Sequence, residues 1–113
     1  MKLYTIVGRV SGAESSVYGT YTDLETTKKC LEIHIAMNRK YGEFEQFDIL
    51  ENELEGNHKT VYRVIGFDGG ICIHLLGICD TLDNADKFII EIHEELEKNN
   101  MHYTEYNIEK IEL

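Results

Sequence analysis

Hydrophobic and polar positions alternate from the first residues of the chain. Leu3, Thr5, Val7 and Arg9 fall on one parity, and Tyr4, Ile6, Gly8 and Val10 on the other. Both parities are largely apolar, which predicts a strand buried on much of both faces. Ser11-Gly12-Ala13-Glu14 supplies a turn, and Ser15 to Tyr21 returns as a second strand. Thr22-Asp-Leu-Glu25 then fits a capping box, with the threonine hydroxyl accepting from an orphan amide while Glu25 reaches back. The helix that follows places Leu24, Thr27, Cys30, Leu31, His34 and Asn38 at spacings of three and four, and ends near Asn38 to Tyr41. A third strand runs from about Phe44 to Leu54. Phe47 and Ile49 share one parity there and Asn52 and Leu54 the other, a switch that predicts a β-bulge.

The same succession is written twice. Lys2-Leu-Tyr-Thr-Ile-Val-Gly8 aligns with Thr60-Val-Tyr-Arg-Val-Ile-Gly66 at an offset of 58, as do Gly12 with Gly70, Gly19 with Gly77, Leu24 with Leu82 and Leu31 with Ile89. After the helix the offset is 59, pairing Phe44 with Tyr103, Phe47 with Tyr106 and Ile49 with Ile108. In the second copy Asp68-Gly69-Gly70 makes the turn, Ile71 to Ile78 the return strand, Asp80-Thr-Leu-Asp83 the helix start, and Tyr103 to Leu113 the closing strand. Leu82, Ala85, Phe88, Ile89, Ile92 and Leu96 form the better apolar stripe, so the second helix is expected to be the firmer anchor. Such a repeat fixes the architecture before any motif does.

The expected fold is α+β: one domain over 1–113 made of two β-β-α-β units, 1–56 and 57–113, related by a pseudo-twofold. Each unit of about 55 residues is marginal alone, so the two are expected to share a core or to pack edge to edge. The first strand of each belongs in the middle, antiparallel to its neighbours. The result is one six-stranded antiparallel or mixed sheet, or two abutting three-stranded sheets, with both helices packed on sheet faces in a ferredoxin-like plan. Tyr4 and Tyr62, matched by the repeat, are assigned to the core, and Ile89 is expected to be buried.

Charge narrows the partners. The net charge is −10, from 21 acids and 11 bases, and both halves are acidic. No basic stripe is present, which argues against direct nucleic-acid binding and against an anionic membrane surface. No apolar run reaches the roughly 18 residues that span a bilayer, and no signal peptide is evident, so a cytoplasmic location is expected. Three cysteines without framework spacing read as reduced thiols.

Candidate chemistry is sparse. Five histidines are present, and Cys72 and His74 share one face of a strand, but no paired ligand spacing completes a zinc site. His34 lies on the packed stripe of the first helix and reads as a packed residue. Ser15-Ser16 lack a nucleophile elbow, and Gly8, Gly12 and Gly19 do not open a helix as a phosphate loop would. Their recurrence at Gly66, Gly70 and Gly77 points to backbone geometry. No catalytic residue, metal or cofactor is therefore assigned.

The carboxylates and unrepeated tyrosines remain. Tyr18, Tyr21 and Tyr41 have no tyrosine at the repeat-equivalent position, and Glu43, Glu45, Asp48 and Glu51 crowd the first closing strand. Glu94 and Glu95 stand on the second helix. Tyrosine anchors among carboxylates suit a protein interface, and those nine residues form the candidate partner-binding set. The same acids also suit a solvated helix face and charged edges that block sheet aggregation.

Val17-Tyr-Gly-Thr-Tyr-Thr-Asp-Leu-Glu-Thr-Thr-Lys-Lys-Cys-Leu-Glu32, followed by Phe47-Asp-Ile-Leu-Glu-Asn-Glu-Leu54, resembles small uncharacterised proteins of bacteriophages and low-GC bacteria. The resemblance implies a phage-like context and small binders or inhibitors of host proteins. The leading expectation is a non-enzymatic inhibitor of a host defence or nucleic-acid-handling protein. It would act in the host cytoplasm by occupying a basic surface. The alternative is a module that binds or sequesters a small, nucleotide-like ligand at the repeat interface or a homodimer seam. An enzyme is the third reading.

Overall fold

A computed structural model describes residues 1–41, 45–69 and 72–113. Strands β1 (Lys2–Val10) and β2 (Ala13–Tyr21) are followed by helix α1 (Leu24–Lys40) and β3 (Gln46–Glu53). The order then recurs as β4 (Thr60–Asp68), β5 (Cys72–Cys79), α2 (Leu82–Glu97) and β6 (Glu105–Glu112). They form two three-stranded sheets, β2-β1-β3 and β5-β4-β6, in which every hydrogen-bonded pair is antiparallel. Both halves thus have the same element order and the same strand order, with the strand that is apolar on both parities at the centre.

Each sheet has a helix side and an inner side. Gly77 lies opposite Val64, and a Cβ on Gly77 would stand 2.7 Å from Phe88 of α2, so α2 covers the even-numbered side of β4. Tyr18 packs on His34 of α1 with ring centroids 4.5 Å apart, placing α1 on the matching side of its own sheet. The opposite sides carry Leu3, Thr5, Val7, Val61, Arg63 and Ile65, and all six are buried although no helix covers them. They are covered by each other. Arg63 Nη1 crosses from β4 to donate to Thr20 Oγ1 at 3.1 Å and to the Tyr18 carbonyl of β2, and Thr20 meets Thr5 Oγ1 at 2.8 Å. The layers therefore stack α1, sheet, sheet, α2, and the deepest core lies between the two sheets.

This layering corrects several expectations. β3 and β6 pair with β1 and β4 in unbroken register, so the closing strands carry no bulge. Phe47 and Ile49 lie opposite Gly8 and Ile6 on the helix side, whereas Asn52 lies opposite Leu3 on the inner side. Tyr106 and Ile108 against Ile111 repeat the division. The parity switch serves two covered faces. Register shifts occur instead between Thr5 and Val7, between Gly8 and Arg9, and between Val64 and Ile65.

The helix starts also move by one residue. Asp23, not Thr22, caps α1, accepting from Thr26 N at 3.0 Å, and Thr81, not Asp80, caps α2, accepting from Asn84 N at 3.1 Å. Asp80 holds the Asn84 side chain instead. On α2 only Ala85 is fully buried; Ile89 is half-buried and Leu82 is exposed, because the outer layer packs on one side only. Tyr4 and Tyr62 are half-buried for the same reason.

Candidate functional site

The nine residues singled out by sequence do not form one surface. Glu43 lies outside the described residues. Tyr18 and Glu45 belong to the packing under α1, where the Tyr18 hydroxyl donates to both Glu45 oxygens at 2.8 Å. Asn38 fixes the Glu45 backbone, donating to its carbonyl at 2.9 Å and accepting from its amide at 3.4 Å. The carboxylate rests on Gly8, where a Cβ would collide with it. Tyr21 turns toward Cys30 on α1, whose side-chain hydrogen bond, with burial, pushes the phenol up. Tyr41 is exposed, with Lys40 Nζ 5.6 Å from its ring centroid. Asp48 and Glu51 are exposed on β3 and pair with Arg9 at 3.7 Å and Lys2 at 3.4 Å.

Glu94 and Glu95 stand apart from these, on the outer layer at the far side of the molecule. Asp83, Asp86, Glu91, Glu94, Glu95 and Glu97 are all exposed along α2, against the single base Lys87. Among them opens a hollow of about 420 Å³ lined by Ile89, Ile90, His93, Glu94 and Tyr106. Ile90 is 58% exposed at the mouth of this hollow. His93 closes one end: Nε2 lies 3.0 Å from Glu97 Oε1 and Nδ1 3.2 Å from the Tyr106 hydroxyl. In the tautomer whose Nε2–H donates to the Glu97 carboxylate, Nδ1 accepts from the Tyr106 hydroxyl, which orients both rings. Burial, reinforced by Glu97, keeps the Tyr106 phenol protonated to above its ordinary range.

The fold also creates a pair that the sequence did not disclose. His74 Nδ1 on β5 lies 2.9 Å from Glu14 Oε2 on β2, joining the two halves. Glu14 Oε1 is buried without a partner among the described residues. Beside the pair a hollow of about 240 Å³ is lined by Asp68, His74, Leu96, Met101, His102 and Tyr103. Burial and the neighbouring Tyr106, Asp68 and Glu14 raise the Tyr103 phenol. A carboxylate that orients a histidine is half of a general-base arrangement, but no serine, threonine or cysteine completes a hydrogen-bonded chain to His74 among the described residues. No local signal marks this pair, since 60 residues separate its members. Arg63 was more visible: it is a charge in the middle of the apolar strand β4, where the first half has Thr5.

A third hollow, also about 240 Å³, opens where the halves meet at one end, lined by Thr20, Tyr21, Thr22, Asp23, Thr26, Glu112 and Leu113. The Thr26 hydroxyl and amide hold the Asp23 carboxyl below its usual range, and the Thr60 hydroxyl with Lys110 does the same for Glu112. Both are anionic at neutral pH, which disfavours a phosphate there. Among the described residues no three or more His, Cys, Asp or Glu come together to hold a metal ion. No helix of the described residues is long and apolar enough to cross a membrane.

Comparison with protein-family models, with curated proteins and with solved structures finds no match to this chain.

Proposed function

We propose that this chain is a non-enzymatic binding protein that docks on a basic surface of another protein through the outer face of α2. The observation that carries the proposal is an open apolar hollow at Ile89 and Ile90 bordered by exposed carboxylates. Apolar area at the centre of an interface supplies burial, while rim charges steer encounter and reject like-charged partners. Asp48 and Glu51 are already paired and lie on the other sheet, so they belong to the solubilising surface. The phage-like pattern makes the partner a host defence or nucleic-acid-handling protein and the setting the host cytoplasm. Descent of both halves from one ferredoxin-like β-β-α-β unit is part of the same proposal, supported by their common strand order.

The test is capture from a bacterial lysate on immobilised protein, with a Glu91→Lys/Glu94→Lys/Glu95→Lys variant alongside. The wild type should retain a specific basic protein at low salt, less at high salt, and the variant should retain none. Equal retention by the variant, or no specific protein at either salt, contradicts the proposal. A second reading, a small ligand held between the halves, draws on the hollow at Thr20 and Glu112. Its carboxylates favour a cationic ligand over a nucleotide-like one. Mass spectrometry of whatever the denatured protein releases tests it.

A further inference from the structure

Ile33, Met37 and Tyr41 follow one another at four-residue spacing on α1 and its C-cap, and 63%, 46% and 64% of their surfaces are exposed. Lys29, Ala36 and Lys40 share that outer stripe, since all fall at helical spacing from Ile33 and all are exposed. The second half supplies an internal control. At the offset of 58, Lys29 and Lys40 correspond to Lys87 and Lys98, whereas Ile33, Ala36 and Met37 correspond to Glu91, Glu94 and Glu95. The outer face of a helix in this fold thus accepts three carboxylates at these positions. Packing within the chain does not call for apolar residues there, and a contiguous apolar stripe where the equivalent positions carry carboxylates marks a contact surface.

We propose that a second copy of this chain covers the stripe, α1 against α1, antiparallel about a twofold axis near Ile35. Charge selects this face. α1 carries four bases and two acids, α2 six acids and one base, so two chains of charge −10 meet with least repulsion through α1. The stripe is also self-complementary. With the axis near Ile35, Ile33 meets Met37 of the partner subunit at the apolar centre. Lys29 falls at the end of the contact beside the partner subunit's Tyr41, whose ring Lys40 already covers, so the apolar centre and not the lysines holds the pair. Ala36, near the axis, lets the backbones approach. Glu32 and Arg39 occupy one flank, and neither has an ion pair among the described residues. Antiparallel packing brings Glu32 to the partner subunit's Arg39 twice. Such an isologous contact closes at two copies, whereas α1 on α2 would be heterologous and would keep growing.

Sedimentation equilibrium of the full chain over a wide concentration range tests this. The mass should rise to twice 13.1 kDa and no further. Ile33→Glu/Met37→Glu, which installs the residues that α2 carries, should stay at 13.1 kDa with unchanged helix content by circular dichroism. Glu32→Arg should weaken the dimer, and adding Arg39→Glu should restore it. A wild type that remains monomeric, a double-glutamate variant that still dimerises, or growth beyond two copies overturns the proposal.

Discussion

Thr81 shows how much one hydroxyl decides. Its side chain satisfies the Asn84 amide at the start of α2, and its neighbour Asp80 serves the Asn84 side chain instead. Thr81→Ala should cost about 1 kcal/mol, read from the urea midpoint. Asp23 does the same for α1, and there the bond also titrates. Hydrogen bonds to the ionised form lower the folded pKa of Asp23 and, through Asn84, of Asp80. The unfolded chain then binds these protons more tightly, so their contribution is complete above the ordinary carboxylate range and is lost as pH falls through the folded values. Stability should decline below about pH 4, and an Asp23→Asn/Asp80→Asn variant should show a shallower decline in urea midpoint against pH. Both caps sit one residue beyond the place the sequence suggests. Thr22-Asp and Asp80-Thr each offer two competent caps in a row, and local pattern alone does not choose between them.

Among the elements, the central strands hold the molecule together and the helices are its outer covering. Ile6 is fully buried in β1, while Ile89 on α2 is half-buried at the edge of a hollow. Ile6→Ala should therefore cost about 2–5 kcal/mol. Ile89→Ala should cost roughly 1–2 kcal/mol, since less apolar area is returned to water. Equal losses in chemical denaturation would contradict this ranking. Gly77 tests the strand–helix contact from the other side: an alanine methyl would meet the rigid Phe88 ring, and overpacking of this kind costs about 1–3 kcal/mol. Strand identity and order were legible because β1 and β4 are apolar on both parities, which only a central strand needs. The parity switch in β3 and β6 was visible too, but it has two physical causes, a bulge or a strand covered on both sides. Only knowledge of what lies on each side separates them.

At the scale of the whole molecule, the inner faces make the halves one body and the outer faces make them different. Arg63 joins the sheets through Tyr18 and Thr20, and within its own sheet it pairs with Glu109 at 2.9 Å. Arg63→Ala should cost about 3 kcal/mol by leaving a cavity between the sheets and stranding the Thr20 hydroxyl and the Tyr18 carbonyl. Arg63→Met should cost less, because its neighbours Val61 and Ile65 are apolar and Glu109 can turn to solvent. The face-to-face packing itself was not legible. Leu3, Thr5 and Val7 mark a buried face, but nothing local says that another sheet covers it, and the Glu14–His74 pair exists only because of that packing. The separation of the candidate residues follows from the same cause: Tyr18 and Glu95 belong to layers that the chain order does not reveal. The most direct test is native-state hydrogen exchange of the central strands. If the halves share one interior, the slowest amides of β1, Ile6 and Val7, and of β4, Val64 and Ile65, should open with a single free energy equal to that of global unfolding. Two distinct ceilings, one for each half, would contradict it.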